Sequence, residues 1–364
     1  MIVTEHELSR DPRARRAART ARDLGIDVIE LSPPAAGASQ ARAHAGSIGR
    51  RRPIVRELRG IWRLGRLIAV STKLTRAARD VPTVDAVHAN DFDTLPAAWR
   101  VAQRHGARLI YDAHEIYTAQ EPDPPRLHRL VTGALEGWFA RRADAVVTVN
   151  DPIAKELKRR LHLDREPLVV LNCPAAQDVP TAVPSDGPLR AVYQGAMGPG
   201  RYIEDLLTAA PGAGNTELTL RIAGVDLEAL RADVRARGLD NRVRVVTPVA
   251  PDVLVESLAG FEVGLIINRP VTLNDRLVLP NKLFEYLMAG LAVVVPRLPA
   301  LEPVVEGVGL TFAPGDPADL AAVLSRLAED RASLQQMREE ARRRALTRYN
   351  AQEQAAVLTT AWQG

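Results

Sequence analysis

The chain has 364 residues, 46% hydrophobic and 25% charged, with a net charge of +4. That length suits two domains of ordinary size. The single cysteine, Cys173, excludes an internal disulfide and any multi-cysteine metal site. No apolar run approaches the ~18 residues of a spanning helix. Residues 1–6 soon turn charged, so the expectation is a cytoplasmic protein without a signal peptide.

Charge is unevenly spread. Residues 1–80 carry seventeen Lys and Arg against eight Asp and Glu. A basic end points to an acidic partner or an anionic surface. Its one aromatic residue, Trp62, provides no stacking platform, which argues against nucleic acid.

Residues 1–31 read as strand, helix, strand. Asp11 can cap the helix and Pro12 can open it. Arg13, Arg15, Arg16, Arg19 and Arg22 stud it, and it ends near Leu24 and Gly25. Residues 26–31 alternate and predict a strand. Residues 32–49 lack periodicity and predict a loop. Residues 50–79 predict a basic helix with an apolar stripe through Ile54, Leu58, Ile61, Trp62 and Leu64. Such a helix either packs, solvated, on its own domain or contacts a membrane surface or an anionic acceptor.

Strands and helices then alternate, which calls for a parallel sheet. Strands end at His88 and Asp91, at Asp112, His114 and Glu115, and at Asn150. Ligands of such sheets sit at the carboxyl ends of strands, so this cluster marks a candidate acceptor or reacting-sugar site. Taken singly, each of these residues is an ordinary structural one. No spacing is diagnostic of a metal site, and none is expected.

Four prolines in 172–188 mark a linker. A second alternating unit follows. Its first strand, 189–194, runs into a turn, 195–201, with three glycines, among them Gly195 and Gly198, and then Arg201. The turn is either an ordinary strand-to-helix connection or a phosphate cradle closed by Arg201. Helices are predicted at 203–210, 226–237, 251–258 and 317–328, with a long one from about 334. Strands are predicted at 218–224, 243–246, 263–267 and 292–296.

Residues 279–290 read as one helix. Pro280 suits its first turn and Gly290 its left-handed end. Leu283, Phe284, Leu287 and Met288 share a core-facing side, while Asn281, Lys282 and Glu285 emerge together. A helix N-terminus attracts anions, so Lys282 there makes a phosphate site and Glu285 can grip a ribose diol. The alternative is a capped surface helix with a Lys–Glu pair.

The segments 85–96, Tyr111-Asp112-Ala113-His114-Glu115, Tyr193-Gln194-Gly195 and 280–286 resemble, in order, the GT4 family of glycosyltransferases. The segment Arg10-Asp11-Pro12-Arg13 is similar to the start of some members. The resemblance implies an α/β protein of the GT-B fold, with two Rossmann-like, doubly wound parallel-sheet domains facing a central cleft. The boundaries expected are 1–172 for the acceptor-side domain, 173–188 for the linker and 189–345 for the nucleotide-sugar domain. A last helix, 346–364, would pack back toward the first domain. It further implies sugar transfer from a nucleoside diphosphate sugar with retention of configuration, without cofactor or metal. By resemblance His114 sits beside the donor sugar, Arg201 and Lys282 hold the diphosphate, and Glu285 binds the ribose. Gly195, Gly198 and Asn281 complete the donor site. Arg13, His88, Asp91, Asp112 and Glu115 fall on the acceptor side.

Two departures stand out. The first Glu of the family's Glu-x7-Glu motif is Leu277 here, with Asn274 and Asp275 nearby. The glycine pair after the first strand is missing, and residues 6–13 take its place. A non-catalytic member and a sugar-nucleotide epimerase are the competing functions.

Overall fold

The structure, a computed structural model, describes residues 1–4, 11–32, 53–180, 186–197 and 202–364. Of the basic stretch, side chains 53–61 and 63 lie outside that set.

The N-terminal half contains β1 (Ile2–Val3), α1 (Pro12–Asp23), β2 (Glu30–Leu31), α2 (Pro53–Ala77), β3 (Ala86–Asn90), α3 (Leu95–His105), β4 (Arg108–Ala113), α4 (Arg126–Ala140), β5 (Ala145–Thr148), α5 (Asp151–Leu161) and β6 (Leu168–Val169). The C-terminal half contains β7 (Leu189–Ala196), α6 (Ile203–Ala209), β8 (Thr216–Ala223), α7 (Leu227–Ala236), β9 (Val243–Val246), β10 (Val263–Leu265), α8 (Leu273–Leu277), α9 (Asn281–Met288), β11 (Ala292–Pro296), α10 (Glu302–Val305), β12 (Gly309–Phe312), α11 (Pro317–Glu329), α12 (Arg331–Thr347) and α13 (Ala351–Gln363).

The strands form two six-stranded sheets, ordered β2-β1-β3-β4-β5-β6 and β12-β11-β10-β7-β8-β9. Every pairing is parallel. Helices cover both faces, so central strands such as β11 are buried throughout. The strand order reverses next to β1 in one sheet and next to β7 in the other. Crevices open at these switch points, and the two face each other.

Local chemistry sets the helix ends. The Asp11 carboxylate accepts from the backbone N–H of Arg13 and Ala14, and Pro12 opens α1, as predicted. Four local readings need correction. The strand predicted at 26–31 pairs only at Glu30 and Leu31, because β1 offers just two partners. Residues 251–258 form two 3₁₀ turns instead of a helix. There the Ser257 hydroxyl donates to the Leu254 carbonyl, and Arg221 grips both Ser257 oxygens, which competes with helical bonding. The long final helix is two helices. Asn350 donates to the Ala345 and Leu346 carbonyls and accepts from the Glu353 N–H, which ends α12 and starts α13. Finally, α8, α10 and β12 have no counterpart among the predicted elements.

Helix α13 lies on the N-terminal half. Leu358 and Ala361 share a core with Ala14, Ala17, Ala18 and Ile110. Arg108 Nε donates to the Ala361 carbonyl at 2.9 Å. Among the described residues no helix is long and apolar enough to cross a membrane.

Candidate active site

The cleft between the sheets encloses about 580 Å³, within the range of small-molecule sites. Helix α9 forms one wall. Pro280, with φ −72° and ψ 144°, precedes the helix and is not inside its first turn. Gly290, at φ 70°, ends it. Leu283, Phe284, Leu287 and Met288 are fully buried, as their spacing predicts. Lys282 is 8% exposed, which excludes the surface-helix reading.

The Lys282 ammonium lies 4.2 Å from the centre of the Tyr193 ring, a cation–π contact. It also rests on the bare backbone of Gly195. A Cβ there would come within 2.5 Å of Nζ, and Gly195 has φ +156°. Glycine is therefore what lets the lysine approach β7. Tyr286, buried in α9, fixes the same strand end, accepting from the Gln194 N–H at 3.1 Å. Gln194 Nε2 donates to Glu285 Oε2 at 3.2 Å. Burial pushes the Glu285 carboxyl above its usual range, with Lys282, Gln194 and Arg16 pulling the other way. Asn281 lines the same wall.

His114 and Glu115 form the opposite wall. Asp91 orients the imidazole. It adopts a left-handed φ of 63°, accepts from the His114 N–H at 3.2 Å and meets His114 Nδ1 at 3.0 Å. Burial works against charge on His114, but Asp91 and Asp112 outweigh it and raise the pKa. His114 Nε2 has no hydrogen-bond partner among the described residues. Burial, then Asp91, raises Glu115.

Residues 13–175 match Glycosyltransferase Family 4, and residues 189–330 match Glycosyl transferases group 1. This chain belongs to glycosyltransferase family 4. It is 28% identical over 284 residues to a glycogen synthase of Mycobacterium tuberculosis, covering 71% of the chain and 64% of that relative. A sucrose-phosphate synthase from Thermosynechococcus elongatus superposes with a TM-score of 0.74 at 16% identity, over 100% of this chain and 97% of that one. Anabaena HepE in complex with UDP-glucose superposes with a TM-score of 0.65 at 16% identity, over 94% and 87%. The fold is therefore GT-B.

Of the five acceptor-side residues expected of this family 4 chain, only Glu115 lines the cleft. Arg13, His88 and Asp112 are all buried. Arg13 grips Asp112 with two bonds of 2.7 Å and donates to the Val170 carbonyl at 2.8 Å. Burial opposes the Asp112 charge, yet Arg13 wins and holds the carboxyl far below the usual range. Trp362 Nε1 donates to His88 Nδ1 at 3.1 Å, which puts the ring proton on Nε2, facing Asp112 at 3.3 Å. These groups tie β3, β4 and α13 together beneath the site. Asp91 acts on His114 and is not itself in the lining.

Leu277 packs against the N-terminal core, so the missing motif carboxylate is replaced by an apolar anchor. Asp275 is used inside α8, accepting from the Thr272 N–H and hydroxyl. Asn274 bonds across the cleft to Glu115 and Ile116. Gly198 and Arg201 lie outside the described residues. Among the described residues no group of three or more His, Cys, Asp or Glu is arranged to hold a metal ion.

Two cleft residues, and a third that bonds to the lining, were not among the predicted site residues. Gln194 and Asn268 each carry a side-chain oxygen without a hydrogen-bond partner among the described residues, and both residues are buried in the lining. Each stands at or just past the end of a strand flanking the switch point, and that position was the signal. Arg16 donates to the cleft residue Asn172 at 2.7 Å. Burial, then Arg13, lowers its pKa to about 10. One turn after Arg13, it looked like one more basic residue on a studded helix.

Proposed function

We propose that this chain transfers a sugar from a nucleoside diphosphate sugar to an acceptor nucleophile, with residues 189–345 holding the donor and residues 1–172 the acceptor. The observation that carries the reading is the buried Lys282 ammonium, set over Gly195 at the switch point and facing His114 across the cleft. An ammonium held there by the fold, at the N-terminus of a helix, is a preorganised anion site. Structures of Anabaena HepE with UDP and with UDP-glucose support a uridine nucleotide as the donor carrier.

In this reading the bond between the anomeric carbon and the phosphate oxygen breaks. Lys282 and the α9 N-terminus take up the charge developing on the diphosphate. Arg201 joins them on sequence grounds alone. Glu285 binds the ribose diol. Family resemblance favours retention, in which the departing phosphate oxygen accepts the acceptor's proton on the face where the new bond forms. The charge on the diphosphate is then met by protein groups, and the step needs no metal. The acceptor is a small molecule or an envelope glycoconjugate. Exposed Trp62, Ile68 and Arg66 on α2 support peripheral contact with an anionic surface.

Thermal denaturation with UDP, GDP, ADP, CMP and dTDP tests the donor class. One nucleotide raises the melting temperature by mass action. No shift with any of them favours the non-catalytic reading. Incubation with the matching nucleotide sugar and no acceptor separates hydrolysis from epimerisation.

A further inference from the structure

Helix α8 belongs to the C-terminal half by chain order but docks on the other half. Leu273 and Leu277 pack against the N-terminal core. Asn150, which caps α5 by accepting from the Ile153 N–H, donates to the Leu277 carbonyl at 2.8 Å. Between the two leucines, Asn274 reaches the segment that follows His114. Its Oδ1 accepts from the Ile116 N–H at 2.9 Å. Its Nδ2 donates to the Ile116 carbonyl at 3.1 Å and to Glu115 Oε2 at 3.0 Å. One amide thus satisfies both backbone groups of Ile116 and orients the adjacent carboxylate.

The far end of α8 leads straight into the donor wall. Only Val278, Leu279 and Pro280 separate it from α9, and all three line the cleft. Val278 and Pro280 are extended, with ψ of 137° and 144°. Proline ring closure fixes one φ of this connection and restricts Leu279 before it, so the link is stiff. A shift of the α9 N-terminus is passed to Asn274 with little slack.

We infer that Asn274 is a positioning residue that couples occupation of the donor site to the placement of His114 and Glu115. The inference rests on the donor reading above. A nucleotide that favours the docked position of α9 must, by linkage, favour the state in which the Asn274 bonds are made. The His114 wall is then ordered when a donor is present and looser when it is absent. An interdomain strut without this role would stabilise the fold and respond to nothing.

Hydrogen–deuterium exchange of the full chain with and without UDP separates these readings. In the wild type, UDP slows exchange both in peptides covering 280–288 and in peptides covering 113–119. In Asn274→Ala, UDP still protects 280–288 but no longer protects 113–119. Without ligand, the Ile116 amide of that variant exchanges about tenfold faster than in the wild type. Asn150→Ala loosens α8 without removing the Asn274 bonds, and it keeps the response at 113–119. If Asn274→Ala does not fold, Asn274→Asp serves instead. It keeps the acceptor for the Ile116 N–H but sets a carboxylate against Glu115, and the response is again lost. Protection at 113–119 that survives in the Asn274 variant overturns the coupling. So does wild-type protection confined to 280–288. Absence of UDP protection anywhere in the wild type overturns the donor reading and the coupling with it.

Discussion

Lys282→Met is the sharpest test of the donor site. Methionine keeps an unbranched stem of similar length over Tyr193 and Gly195 and removes only the charge. Two unit charges about 4 Å apart at an effective dielectric of about 20 attract by roughly 4 kcal/mol. Stripping water from both partners takes back part of that. A net of about 2–3 kcal/mol matches the usual worth of a hydrogen bond to a charged group. UDP should therefore bind about 30- to 150-fold more weakly to the variant. Isothermal titration with UDP measures this directly. Uridine, which lacks the phosphates, should bind both proteins within about twofold, since Lys282 is argued to meet only the diphosphate. If UDP affinity falls less than about threefold while circular dichroism shows a native fold, the diphosphate is not held at α9. An equal loss for uridine would show that the variant disturbed the cleft as a whole.

Gly195→Ala should weaken UDP binding by about tenfold and cost about 1–3 kcal/mol of stability, because the new methyl displaces the Lys282 ammonium and alanine is strained at a φ of +156°; titration and urea denaturation read the two effects. Asp112→Asn removes the partner of buried Arg13 and should cost about 3–5 kcal/mol of stability, with UDP affinity unchanged. An Asp112→Asn variant of native stability would restore this residue to the acceptor side. Burial raises the Glu136 carboxyl to about 7, against the opposing hydrogen bond from Tyr111. A carboxyl raised in the folded state contributes stability at low pH that is lost as pH climbs from the unfolded pKa near 4.5 through about 7. Glu136→Gln should match the wild type at pH 4 and exceed it by up to about 3 kcal/mol at pH 8. Urea denaturation across that range would refute this if the two curves stayed parallel.

Much of this chain was legible in its sequence because the signals were local. Alternating strands and helices called for parallel sheets. Asp11 and Pro12 announced α1. The stretch 280–290 carried its own start, stop and faces, and Lys282 and Glu285 do stand in the cleft. The break at Asn350 is also written locally, as a capping residue three before Glu353, although one long helix is predicted there.

Tertiary structure decided what depends on partners far away in the chain. Strand ends bring polar residues to one edge, but only packing tells which of them face the cleft. Arg13 and Asp112 lie 99 positions apart, and their bidentate pairing turns two candidate ligands into a buried strut. His88 is claimed by Trp362, 274 residues on. Leu277 looked like a lost carboxylate because a motif records only spacing. In the fold it is an apolar anchor on the opposite half, and Asn274 beside it spans 158 positions to reach Ile116. Desolvation makes such choices. A buried charge must find its counter-charge, an apolar side chain must find a core, and neither requirement leaves a short-range pattern in the sequence.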